Sequence, residues 1–155
     1  MLLDEYIALR SLKAKIIEHK KPVKTVDEAV AVLKCKPADI IKSIVVLGKD
    51  KFKKSTFYLI LLQGNRKIKT KKLKSILGIK DLALASPDQV KNITGYNIGD
   101  VPPIGVNLPV IMDELALNQK IFYGGGGKSN RNLRISLQEL LECINPLIAD
   151  ISAPI

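Results

Sequence analysis

Apolar residues recur with helical spacing in several short segments of the chain. Residues 2–9 carry apolar side chains at every third or fourth position, which predicts an N-terminal helix. Three further helices are predicted to begin at Thr25, Ser86 and Ser136, because Glu or Gln follows each of them three positions later. In such a capping box the hydroxyl accepts an unpaired backbone N–H of the helix, and the Glu or Gln side chain reaches back to the cap residue.

Continuous apolar runs predict the strands. Residues 40–47 and 56–62 are apolar on both faces, which is typical of central strands. Shorter strands are predicted over residues 14–18, 81–85, 121–123 and 133–135. Pro109 predicts an edge position or a bend in the apolar run 106–112, and the tail after Pro146 is apolar but short. The chain has no internal repeat or composition break, so residues 1–155 are expected to form one compact α+β domain. Helices would flank a mixed, mostly antiparallel sheet or a barrel.

Composition excludes several classes of function. No apolar run approaches the roughly 18 residues of a membrane span, and the N-terminus lacks a signal-peptide pattern, so we expect a cytoplasmic protein without a membrane partner. Cys35 and Cys143 are isolated and have neither disulfide-framework nor metal-ligand spacing. His19 is the only histidine and is predicted to be a surface residue without a partner, which leaves little room for a His-centred triad.

The charge balance points to a polyanionic partner. The chain has 25 Lys and Arg against 15 Asp and Glu, a net charge of +10. We define the basic segment as residues 66–74, which contain Arg66, Lys67, Lys69, Lys71, Lys72 and Lys74. It is predicted to form a short helix that ends at Gly78. A surplus of this kind favours nucleic acid, although lysine-rich composition in heat-adapted organisms is the alternative explanation.

Two local patterns suggest a ligand site. Residues 95–105 hold three glycines and two prolines, which predicts a shaped loop that either lines a pocket or only crosses between strands. Lys42 and Ser43 interrupt an otherwise apolar strand, so the Lys42 ammonium is either a fixed, desolvated cation or reaches water from a strand end. The glycine run 124–127 fits neither a Walker loop nor a Rossmann fingerprint, and its role stays open.

In combination, these motifs resemble a known family. Thr25-Val-Asp-Glu-Ala, Ile-Ile-Lys42-Ser-Ile-Val, Leu-Ala-Ser-Pro-Asp-Gln-Val, the loop 95–105 and the glycine run before Leu-Arg-Ile are similar to the YbaK-type aminoacyl-tRNA deacylases. The same fold serves as the inserted editing domain of bacterial prolyl-tRNA synthetases. The resemblance covers roughly residues 14–145 and keeps the family order. The N-terminal helix and the C-terminal tail lie outside it.

The resemblance implies an enzyme that hydrolyses the ester of a mischarged tRNA without a metal or other cofactor. Family members act on tRNA for proline that carries Cys or Ala. Lys42 would be the catalytic residue, in contact with the substrate's backbone or with the terminal nucleotide's phosphate. Substrate binding is assigned by the same resemblance to Thr25, Gly99, Asp100, Val101, Pro102, Pro103 and Gly105. Many family members have a small residue at Asp100, so its carboxylate either reaches an α-ammonium or caps the loop.

The chemistry implied by the resemblance suits a chain with almost no histidine or cysteine. An aminoacyl ester is already activated, so its hydrolysis needs a positioned water, a shaped pocket and stabilisation of the oxyanion. Either the substrate's ribose hydroxyl or the protein activates the water. The basic segment would hold the tRNA acceptor end by its phosphates, with an aminoacyl-tRNA synthetase as a further candidate partner. The alternative is a module of the same fold that binds RNA or aminoacyl-tRNA without turnover.

Overall fold

The structure, a computed structural model, describes residues 2–155. The helices are α1 (Leu3–Leu9), α2 (Val26–Leu33), α3 (Thr70–Leu77), α4 (Pro87–Thr94) and α5 (Leu137–Ile144), with 3₁₀ turns at Pro37–Asp39 and Glu114–Asn118. The strands are β1 (Lys15–Glu18), β2 (Ile41–Lys49), β3 (Ser55–Gln63), β4 (Arg66–Ile68), β5 (Asp81–Leu84), β6 (Val110–Asp113), β7 (Ile121–Gly125), β8 (Arg131–Ser136), β9 (Leu147–Ala149) and β10 (Ser152–Pro154).

The strands form three sheets of different size. The largest has the order β5-β2-β3-β6-β9, in which the pairs of β2 are antiparallel and the pairs of β6 are parallel. A three-stranded antiparallel sheet has the order β1-β8-β7, and β10 pairs with β4. The predicted mixed α+β fold is confirmed, whereas the barrel alternative is wrong, because the strands of residues 2–155 form open sheets.

The two long apolar runs lie where their pattern predicts. Strands β2 and β3 occupy the interior of the five-stranded sheet, and each of their faces covers a separate core. Ile41 and Val45 belong to the larger core, whereas Val46 and Ile60 belong to the smaller one. Because side chains alternate along a strand, neighbouring residues of β2 serve different environments. Lys42 and Ser43, which are successive residues of β2, therefore direct their side chains to opposite faces of the sheet.

The predicted helix starts are correct, but only one of the three forms a complete capping box. At α4, Ser86 accepts from the Gln89 backbone N–H and donates its own N–H to the Gln89 side chain. At α2, the Thr25 hydroxyl accepts from the Glu28 N–H at 3.1 Å, but the Glu28 carboxylate accepts from that same hydroxyl rather than from the backbone. The predicted second half of this box is therefore wrong.

The third predicted box, at α5, is replaced by a contact between distant parts of the chain. Ser136 accepts from the Glu139 N–H at 3.1 Å, as the sequence predicts. The Glu139 carboxylate instead accepts the backbone N–H groups of Lys13 and Ala14, at 2.8 and 2.7 Å. This carboxylate fixes the chain just before β1, so a tertiary partner has displaced the local one.

The structure differs from the sequence prediction in the basic segment and in the C-terminal tail, which together form the two-stranded sheet of β4 and β10. Residues 66–68, the first part of the basic segment, form β4 instead of belonging to the predicted helix, and α3 begins only at Thr70. The tail predicted to be merely apolar supplies β9 and β10, and Ser152 of β10 pairs with Ile68 of β4. Because β4 and β10 are far apart in sequence, no local sequence pattern predicts that they pair. Pro109 lies at the bend before β6, which is an interior strand, so the edge alternative is wrong.

Candidate functional site

A cavity of about 390 Å³ opens beside the first half of β2. Its walls come from the segment that leads into α2, from the end of β5, from α4, from the loop 95–105 and from β7. Most of the lining side chains are apolar, and Val26 and Val90 contribute to the wall from two different helices. The volume lies in the range of ordinary small-molecule sites.

One edge of β2 is left unpaired within this cavity. At its start, Ile40 forms a single parallel bridge with Tyr123 of β7. Further along, the Ala85 N–H donates to the Val45 carbonyl at 3.0 Å, and β5 pairs with β2 from there onward. Among residues 2–155, no strand pairs with residues 42–44 on this side. Backbone polar groups at such a place need water or a ligand as a partner.

Lys42 lines the cavity and is half-buried. Its Nζ donates to the backbone carbonyl of Arg66 rather than to a carboxylate. Burial lowers the pKa of Lys42 below the usual lysine value, because desolvation disfavours the charged form. No Asp or Glu among residues 2–155 forms an ion pair with it. A partly desolvated cation without a counter-ion is well suited to receive an anionic or partly negative group.

Ser43 follows Lys42 and faces the opposite side of the sheet, because it pairs with Leu61 of the larger core. It also lines the cavity, and its hydroxyl is buried without a hydrogen-bond partner within residues 2–155. Leaving such a group unpaired costs about 1–3 kcal/mol. The sequence shows Ser43 only as a polar exception in an apolar run, so its position in the site was missed.

The loop 95–105 contributes part of the cavity wall. Gly99 and Val101 line the cavity, and Gly99 has φ +87°, a conformation that favours glycine. Pro102 and Pro103 are buried behind them and are absent from the lining, as is Gly105. Among the predicted substrate-binding residues, the structure therefore places Thr25, Gly99 and Val101 at the cavity surface.

The glycine run 124–127 allows this loop to approach β7 closely. A Cβ on Gly125 would lie 2.2 Å from the Val101 carbonyl oxygen, so no other residue fits there without movement. The Gly127 N–H donates to the Asp100 carbonyl at 2.9 Å. The run is thus a packing surface for the loop, and Gly125 also lines the cavity.

The Asp100 carboxyl lies next to the cavity wall without lining it. Burial raises its pKa, while the charges of Lys24 and Lys91 act in the opposite direction. The Asp100 N–H donates to the Asn97 carbonyl at 3.0 Å, so its main chain closes a turn. Lys24 itself lines the cavity, so the cavity has a second cation besides Lys42, and the charge of Lys24 acts on the Asp100 carboxyl.

His19 and Asn132 form a polar pair that the sequence did not reveal. His19 Nε2 lies 2.8 Å from Asn132 Oδ1, and Asn132 Nδ2 donates to the Gly124 carbonyl at 2.9 Å. Since the amide nitrogen is directed at a carbonyl, the amide oxygen accepts and His19 Nε2 carries the proton. Asn132 is 9% exposed and lines the cavity. The prediction of a surface histidine without a partner is wrong, because β1 and β8 pair and bring these residues together.

The basic segment contributes no side chain to the cavity lining. Arg66 donates to the Ser152 hydroxyl at 3.0 Å and to its carbonyl at 3.3 Å, and Lys72 forms an ion pair with Asp150. The side chains of Lys67, Lys69 and Lys71 are exposed. The segment therefore offers solvent-facing charge, while two of its six cations contact the C-terminal residues: Arg66 contacts β10, and Lys72 contacts Asp150 just before it.

Comparison with a family model decides what kind of domain this is. The model described as "Aminoacyl-tRNA editing domain" matches residues 20–143. The chain belongs to this editing-domain family. The match includes Lys42, the loop 95–105 and the glycine run, and it leaves out α1 and the C-terminal strands.

Named relatives agree with this assignment. The editing domain is 31% identical over 112 residues to a proline–tRNA ligase of Caldicellulosiruptor bescii, covering 72% of this chain and 19% of the ligase. It is 34% identical over 115 residues to that of Solidesulfovibrio magneticus, covering 73% and 19% respectively. The chain thus spans about a fifth of the length of these curated relatives.

Solved structures match over nearly the whole chain. A protein described as a candidate trans-editing enzyme for prolyl tRNA synthetase superposes with a TM-score of 0.86 at 28% identity, covering 97% of this chain and 94% of that one. A protein described only as hypothetical gives a TM-score of 0.87 at 33% identity, covering 97% and 99%.

The two thiols are poorly suited to act as nucleophiles. Burial raises the pKa of both Cys35 and Cys143, which disfavours the reactive thiolate. No three His, Cys, Asp or Glu side chains within the described chain converge as metal ligands would. None of the helices found between residues 2 and 155 has the length and apolar character needed to cross a membrane.

Proposed function

We propose that this editing domain is a hydrolase that removes a wrongly attached amino acid from tRNA, with Cys or Ala on tRNA for proline as its substrates. The family and the relatives named for proline–tRNA ligase and trans-editing support this assignment. The observation that carries it is the cavity itself, which is lined by Lys42, an unpaired strand edge and the loop at Gly99. The activity would be exerted in trans, in the cytoplasm.

The reaction requires little from the protein beyond placement. The oxygen of a water adds to the acyl carbon, the bond from that carbon to the ribose oxygen breaks, and the proton released by the water ends on the ribose oxygen. The Lys42 ammonium, already desolvated, would stabilise the negative charge of the substrate or of the intermediate. Small apolar walls, such as Ala29 and Val90, would limit the amino acid to a short side chain.

Affinity for the tRNA would come from a different part of the surface. The exposed side chains of Lys67, Lys69 and Lys71 are available to contact phosphates of the acceptor stem. Such contacts depend on salt and carry no sequence information. Discrimination between tRNAs would then require a second partner, and an aminoacyl-tRNA synthetase that has just released its product is the natural one.

A deacylation panel tests the proposal. The domain is incubated with tRNA for proline that carries Cys, Ala or Pro, each labelled on the amino acid. We expect loss of Cys or Ala well above the rate in buffer and little loss of Pro, which serves as the matched control. If no ester is lost faster than in buffer while the tRNA still binds, the domain is a non-catalytic binding module and the proposal is wrong.

A further inference from the structure

Strand β5 ends at the cavity, before it reaches the first residues of β2. Strand β5 pairs antiparallel with β2, and its last contact is the hydrogen bond from the Ala85 N–H to the Val45 carbonyl. Extended by two positions in the same register, β5 would place residue 87 opposite Ser43. Instead, Ser86 caps α4 and Pro87 begins it, so the chain leaves the sheet. No strand of residues 2–155 therefore occupies the position beside Ser43 on this edge of β2, and we call this position the vacant track.

The main chain of Ser43 is directed at this vacant track. Successive residues of a strand point their N–H and C=O groups to opposite sides, and alternate residues point to the same side. Because the Val45 carbonyl is bonded to β5, the N–H and C=O groups of Ser43 also point toward the side of β5. Those of Lys42 and Ile44 point toward β3, with which they pair.

The N–H and C=O groups of Ser43 that face the vacant track match the polar groups of one amino-acid unit. In an antiparallel sheet, two directly opposed residues of the hydrogen-bonded kind exchange two N–H···O=C bonds. An aminoacyl ester has the same two functions, an α-ammonium that donates and an acyl carbonyl that accepts. Peptide ligands add to open strand edges by the same pairing.

We infer that the aminoacyl group binds as a one-residue strand on the open edge of β2, paired with the main chain of Ser43. The Ser43 N–H donates to the acyl carbonyl oxygen, and the Ser43 carbonyl accepts from the α-ammonium. This inference rests on the proposed function, since it names the contacts that would hold its substrate. In this arrangement the Ser43 N–H also stabilises the acyl oxygen, on which negative charge develops as water adds.

The pairing fixes the direction of the substrate's side chain. Directly opposed residues of an antiparallel pair place their side chains on the same face. The amino-acid side chain would then lie on the face of Ser43 and Val45, against Val90 and Val101, which belong to the larger core and line the cavity. The unpartnered Ser43 hydroxyl stands on this face as well.

Amide hydrogen exchange read by NMR tests this pairing in the whole chain. The probe is 3′-alanylamino-3′-deoxyadenosine, in which an amide replaces the ester so that it is not hydrolysed. Without the probe, the Ser43 amide is expected to exchange faster than those of Lys42 and Ile44, which serve as internal controls. With the probe at saturation, we expect exchange at Ser43 to slow by at least about tenfold, with no change at the two neighbours.

A second probe examines the other hydrogen bond. The propionyl analogue, which lacks only the α-amino group, is expected to bind roughly tenfold more weakly, as removal of a hydrogen bond to a charged group implies. Perturbation at Gly99 and Gly125 without protection of Ser43 overturns the inference and leaves the proposed function standing. No change at any cavity amide also overturns it, and the deacylation panel then decides the proposed function separately.

Discussion

The cavity and the basic segment present opposite kinds of surface. The cavity is mostly apolar, with main-chain groups and the half-buried Lys42 among its polar features, whereas the segment displays side-chain charge to solvent. They meet at one hydrogen bond, from Lys42 Nζ to the Arg66 carbonyl. Buried, fixed groups favour stabilisation of charge that develops during a reaction, and exposed charges favour loose, salt-sensitive attraction. Variants in the two regions should therefore change different kinetic quantities.

The largest effect is expected at Lys42. Lys42→Ala removes the desolvated cation, so kcat/KM for deacylation of the best substrate in the panel should fall about 100-fold, mainly through kcat. Lys49→Ala is the matched control, because Lys49 lies at the exposed end of the same strand. Melting curves of both variants would show whether the fold is kept. A decrease of less than about threefold at Lys42, with the fold intact, would contradict this division of roles.

A smaller effect is expected in the basic segment. Changing Lys67, Lys69 and Lys71 together to Gln should raise KM roughly tenfold at low salt and leave kcat unchanged. The slope of log affinity against log salt should shrink by about 0.7–0.9 for each phosphate that the variant no longer neutralises. Lys51, Lys53 and Lys54, in the exposed turn between β2 and β3, provide a control triple of equal charge. Equal decreases in affinity for both triples would show that net charge, rather than this segment, governs binding.

The smallest effect concerns pH. Burial lowers the pKa of Lys42, so its ammonium loses the proton at a lower pH than an exposed lysine does. The charged form is present below that pKa, and kcat, corrected for spontaneous ester hydrolysis, should decline as pH rises through it. In Lys42→Arg the guanidinium stays charged, so any remaining activity should keep its value to higher pH. An alkaline decline at the same pH in both proteins would assign it to another group.

Sequence patterns predicted the parts of the molecule that depend on neighbouring residues. Helix starts at Thr25, Ser86 and Ser136 follow from capping, and the interior position of β2 and β3 follows from their apolar character on both faces. Lys42 is one of two polar residues in the first of these strands, and the structure places its side chain at the cavity.

The remaining features depend on pairing between distant segments. The contact of His19 with Asn132 requires β1 beside β8, and the strand at residues 66–68 requires β10 as its partner. The open edge at Ser43 arises from the point at which β5 departs, which only the register reveals. The carboxylate of Glu139 shows the same limit, since its partners are 125 and 126 residues away.

The unpaired stretch of β2 has a consequence for the behaviour of the protein in a crowded solution. An open strand edge normally serves as a template for aggregation, because a neighbouring chain can add its own strand there. Here β7 closes one end and β5 the other, and only residues 42–44 lie between them. A gap of three residues is shorter than the usual strand of about five or six residues, so it disfavours the addition of an ordinary strand of a second protein. A single amino-acid unit remains small enough to enter.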